Sequence, residues 1–125
     1  ASDVYKRQRQ RDALSIFLSE PIGKVAVSCA EVWSDIDALE DALRIGLANL
    51  PYCSLMVATD LEGIQVSAKI GLDGDDRSQL GMDRSKLPYM KMVVPTTDFV
   101  LSESYISHSS KRPSLTAVHV VNSNN

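Results

Sequence analysis

Aromatic residues make up only 6% of this 125-residue chain, with a single Trp, and just two cysteines and two histidines occur. So few rings leave little to stack on bases, and a net charge of −3 gives no global attraction to nucleic acid. Cys29 and Cys53 lack CxxC spacing and a neighbouring His, which argues against a zinc site. No G-x-S-x-G elbow, P-loop or HExxH motif is present, so no enzyme and no cofactor is expected. A Ser–His–Asp set can be assembled from scattered residues of almost any protein and carries no weight. No apolar run approaches the roughly 18–20 residues of a spanning helix, and the start has no signal-peptide pattern.

What remains is an ordinary globular composition, 44% apolar and 23% charged, at a length that fits one domain over residues 1–125. Over residues 1–50 the periodicity is helical. Leu14, Phe17, Leu18, Ile22, Val25, Cys29, Val32 and Trp33 form one stripe, interrupted by Pro21, which is expected to kink the helix or divide it after Ser19. A second helix is expected from a Ser34 cap, with Leu39, Ala42, Leu43, Gly46, Leu47 and Leu50 continuing the stripe until Pro51. Residues 51–121 change period and read as a sheet and ligand-loop region. Residues 52–59 and 64–70 make a hairpin around Asp60-Leu61-Glu62-Gly63. Residues 71–79 read as a polar loop; its Asp73-Gly74-Asp75-Asp76 run fails the EF-hand spacing and is expected to be solvated. A connector with Pro88 at a boundary precedes two further strands, 99–107 and 112–121.

Two features stay open on sequence alone. Lys6, Arg7, Arg9 and Arg11 suit an anionic membrane surface or a phosphate backbone, but a solvated helix face is the stronger reading. Cys29 and Cys53 are either buried thiols or one disulfide, which would contribute about 3 kcal/mol through its closed loop.

The element order predicts an α+β fold, an antiparallel sheet of four to five strands with a long N-terminal helix packed against it. The apolar stripe and length of that helix also suit pairing with a second copy, with Leu14, Phe17 and Leu18 as the residues expected to carry it.

Several motifs, taken in order, resemble a known family. Asp60-x-x-Gly63, Asp83-Arg84-Ser85-x-x-Pro88-Tyr89, Leu101-Ser102-x-x-Tyr105-Ile106-Ser107 and Arg112-Pro113-Ser114-Leu115-Thr116-Ala117-Val118 look like the extracytoplasmic PAS-like sensor domains called Cache or PDC. The resemblance spans most of the chain and implies a pocket between the sheet and the connector. It further implies an inner-membrane receptor with this domain on its periplasmic side. In such receptors a cytoplasmic diguanylate cyclase (GGDEF), phosphodiesterase or histidine-kinase module follows. Family ligands are small organic acids, amino acids or amines, and the domain itself catalyses nothing. The chain opens on Ala1 rather than Met, which reads as an excerpt of a longer receptor. Leu87 stands where the resemblance leads one to expect Arg, and the chain stops before a fifth strand.

The candidate ligand residues are Arg84, Ser85, Tyr89, Ser102, Tyr105 and Ser107. Arg84 suits a bidentate clamp on a carboxylate, against a loop-closing contact to Asp83 or Asp98. Tyr89 and Tyr105 suit a ring or hydroxyl contact, against packing between loop and sheet. The serines suit small-anion donors, though each singly is more commonly structural. Asp60 reads as a turn residue rather than an amine partner, and His119 as a core histidine rather than a metal ligand.

Overall fold

The structure is a computed structural model that describes residues 2–93, 98–101, 105–106 and 113–122. Helix α1 (Ser2–Glu31) buries Leu18, Ala26 and Cys29 and half-buries Leu14, Ile22 and Val25, so most of the predicted stripe faces the body, whereas Phe17, counted in that stripe, is exposed. It runs unbroken through Pro21, against the expected division. Proline deletes one backbone bond, while residues buried on both sides of it, Leu18 before and Ala26 after, keep the two halves in one helix. By length and composition the stretch Asp3–Glu31 is apolar enough to cross a membrane, although Glu20 and Lys24 keep any one apolar run short.

Helix α2 (Ile36–Ala48) starts one residue later than its Ser34 reading, because the Asp35 side chain accepts the Ala38 N–H at 3.2 Å. Its buried face is Leu39, Leu43 and Leu47, each contributing about 1.5–3 kcal/mol of apolar burial. The α1–α2 crossing is close: a Cβ on Gly46 would lie 2.7 Å from Val25 Cγ2. These faces meet Ala58, Ala68 and Ile70 in one core cluster with Cys29, and Cys53 packs against its edge. Both thiols are free, which resolves the disulfide alternative, and burial pushes the Cys53 thiol up.

The strands are shorter than their sequence readings. β1 (Leu55–Met56), β2 (Lys69–Gly71) and β3 (Gly74–Asp76) form a three-stranded antiparallel sheet in that order. β3 lies within the stretch read as loop. Gly71 pairs with Gly74 across a two-residue turn, and the strand's exposed Gly-Asp-Asp sequence gave no apolar signal. Beyond α3 (Pro88–Lys91), β4 (Phe99–Leu101) pairs with β7 (Ala117–His119), and β5 (Tyr105–Ile106) with β6 (Pro113–Ser114). In place of one four- to five-stranded sheet, the described residues thus hold a three-stranded sheet and two separate two-stranded ladders. β4 and β7 lie along α1, where an Arg11 guanidinium N–H donates to the Leu101 carbonyl at 2.7 Å.

Candidate functional site

The site is built on the Asp60–Gly63 turn. Asp60 Oδ1 accepts the N–H groups of Glu62 (2.9 Å) and Ile64 (3.0 Å), which is the turn role expected of it. Gly63 has φ of +84°, and a Cβ there would sit 2.9 Å from Ser85 Cα and Cβ. That absence of a side chain lets the connector close on the turn. The Arg84 N–H donates to Gly63 O (2.9 Å), Gln65 N–H to Met82 O (2.9 Å), and Gly81 N–H to Gln65 O (3.0 Å).

This backbone clasp delivers Arg84 inward, to 9% exposure. Its Nε donates to Gln65 Oε1 (2.9 Å), Nη1 to the Tyr89 hydroxyl oxygen (3.2 Å) and Nη2 to Gln79 Oε1 (3.3 Å). Arg84 does close its loop, but onto neutral groups rather than onto Asp83 or Asp98. Moving a cation out of water costs several kcal/mol, and amide and hydroxyl dipoles offset it less fully than a carboxylate does. Three of its five N–H groups have these partners. The two left over are one N–H on each Nη nitrogen.

Ser85 is half-buried, and its hydroxyl donates to Asp83 Oδ1 (2.6 Å), which also accepts the Ser85 N–H (2.9 Å). These two bonds hold the Asp83 carboxyl below its ordinary range. A depressed folded-state value means that these two bonds stabilise above the unfolded carboxylate range and are lost as pH falls through the folded value. Acid titration of the wild type followed by NMR should therefore show Asp83 protonating later than a free aspartate. Coincidence with the free value would show the Asp83–Ser85 bonds to be absent. Tyr89, at the start of α3, is half-buried and accepts from Arg84, so its own O–H remains a donor. Ser102 and Ser107 lie outside the described residues, and Tyr105 is placed on β5 by its backbone alone. Of the six candidates, the structure brings Arg84, Ser85 and Tyr89 onto one connector.

Gln65, Gln79 and Glu40 were not among the candidates. Gln65 (2% exposed) donates from Nε2 to Ser67 O (2.8 Å), and Ser67 Oγ accepts the Ala58 N–H (2.9 Å). Next in the chain, the Ala68 N–H donates to Glu40 Oε2 (2.7 Å), and Glu40 also pairs with Arg77. Hydrogen-bonded groups therefore run from the Arg84 cage to α2. Glu40 is 1% exposed and three and seven residues before Leu43 and Leu47; a carboxylate in that apolar stripe was the available signal. Glu40→Ala leaves the buried Ala68 N–H unpaired and is expected to cost about 1–3 kcal/mol in chemical denaturation. A change under half a kcal/mol would mean that water replaces the carboxylate.

Two open grooves lie away from Arg84. One, of about 390 Å³, runs between α1 at Gly23, Ala26 and Ala30 and β7 at His119. The other, of about 320 Å³, lies beside Arg44 and Ile70. His119 is half-buried, with Nδ1 2.7 Å from Val120 O and its ring edge-on to Phe99. Comparison of the chain with protein-family models, with curated proteins and with solved structures finds no match.

Proposed function

We propose that this chain is a small-molecule-sensing domain, the extracytoplasmic part of a membrane-bound signal-transduction protein. In this reading it is PAS-like, of the Cache or PDC kind, and the periplasmic side of an inner membrane is its place. It binds a small organic acid, amino acid or amine and passes occupancy through its N-terminal helix to a cytoplasmic output module such as a diguanylate cyclase. The observation that carries the reading is Arg84, a buried cation held by three neutral groups on a connector clasped to a turn. Such a group is stabilised by an incoming anion, and the connector is the segment that an anion would pull on. The length and composition of α1 are compatible with a membrane protein.

The test is a thermal-shift screen of the domain against acids, amino acids and amines, with Arg84→Ala beside it. A ligand at about a hundred times its dissociation constant stabilises by about 2.7 kcal/mol. A hit that vanishes in the variant supports the reading; a folded wild type silent to the whole panel opposes it.

A second reading, a structural homodimerisation module, is favoured by a specific feature. Ile16, Phe17 and Val27 of α1 are exposed, with Phe17 against the half-exposed Tyr52 at a ring distance of 6.0 Å. Leu14 and Leu18, by contrast, face the body, so pairing through α1 would use Ile16, Phe17 and Val27. Sedimentation of Ile16→Glu separates the readings: loss of dimer with ligand shifts intact leaves the sensor reading standing. Free Cys29 and Cys53 also leave a cytoplasmic PAS domain in play, since a bridge would have marked an oxidising compartment.

A further inference from the structure

The sensor reading admits three ligand classes, and the residues around Arg84 divide them. Resting on that reading, we infer that the Arg84 site takes a small carboxylic acid without an amino group and rejects amino acids and amines. Among the described residues the cage around Arg84 holds no negative charge. Gln65 and Gln79 each direct an amide oxygen at the guanidinium, and Tyr89 directs its hydroxyl oxygen there. All three are neutral, so the cage keeps the full positive charge of Arg84 at 9% exposure.

The donors without a partner are two guanidinium N–H groups and the Tyr89 O–H. A carboxylate has two oxygens with about four acceptor positions, which matches that set. An ammonium needs the opposite: acceptors, preferably anionic. Among the described residues no carboxylate pairs with Arg84. The acids nearest in the chain are turned to their own turns, Asp60 to the Glu62 and Ile64 N–H groups and Asp83 to Ser85. The buried Glu40 is held by Arg77 and the Ala68 N–H. An amino acid entering by its carboxylate would bring its ammonium close to a buried cation with no countercharge, which is repulsive in a partly desolvated site.

Calorimetry on matched pairs tests this: acetate with glycine, propionate with alanine, succinate with aspartate, glutarate with glutamate, and ethylamine as the amine probe. For at least one pair the deaminated acid should bind ten times or more tightly than its amino acid, with ethylamine silent. Arg84→Gln should weaken that acid at least tenfold, and Tyr89→Phe, which keeps the ring and removes the O–H donor, several-fold. Should Arg84→Gln fail to fold, Tyr89→Phe alone decides, and unchanged binding in it overturns the assignment. An amino acid binding as tightly as its acid partner, or ethylamine binding alone, overturns the class while leaving the sensor reading intact. If neither series nor ethylamine binds the folded domain, both the class and the reading fall.

Discussion

Valine at Gly63 should lower stability by about 2–4 kcal/mol, on the order of 10 °C or more in melting temperature for a chain of this length. Two effects add. The backbone there has φ of +84°, a conformation that costs an L residue about 1–2 kcal/mol and a β-branched one more. The added Cβ would also sit 2.9 Å from Ser85 Cα, where backbone rather than a flexible chain end must move. Because Gly63 O accepts the Arg84 N–H, that displacement opens the clasp that buries the guanidinium. Thermal melts and acid binding should therefore fall together. A variant that melts within 2 °C of the wild type would show that the turn relaxes without strain.

Leu39→Ala should cost about 2–5 kcal/mol in chemical denaturation, with an unchanged slope. Leu39 has no exposed surface and stands in the cluster that joins α1, α2 and β2, so truncation leaves a cavity between helices and sheet. Collapse around it is hindered on the α2 side, where Gly46 already lies against Val25 without room for a methyl. A loss below 1 kcal/mol would mean that the cluster repacks, and that the helices are held less firmly to the sheet than their burial implies. Both predictions concern the same point: the connector is only as well placed as the core beneath it.

Much of the helical half was legible because side-chain period and burial agree there. Leu14, Leu18, Ile22, Val25 and Cys29 of the α1 stripe turn inward while Phe17 does not, and Leu39, Leu43 and Leu47 follow the predicted face of α2. Pro21 does not divide α1, because its local penalty is outweighed by packing on both sides of it. The sheet half was less legible. Residues 64–70 alternate in polarity, yet the polar Gln65 and Ser67 are both buried and hydrogen-bonded. Polar side chains that satisfy one another inside have no hydropathy signature. Exposed β3 had none either, since its pairing depends on Gly74 and a tight turn rather than on apolar residues. Of the candidate site, Arg84 and Tyr89 were chosen by residue type and loop position, and the structure brings their side chains into contact. The Gln65 and Gln79 amides that hold the guanidinium come from separate segments, and only the fold brings them to Arg84.

The most direct test of the central claim is to watch the Arg84 guanidinium itself. Buried and bonded to Gln65, its Nε–H should give a resolved, slowly exchanging NMR signal, assigned by its loss in Arg84→Lys. Titration with the tightest-binding acid of the matched pairs should shift that signal saturably, together with the Tyr89 ring, and leave the Gly23 amide beside the α1–β7 groove unmoved. An acid that binds while the Arg84 signal stays still and the Gly23 and His119 signals move would place the ligand in that groove and contradict the account.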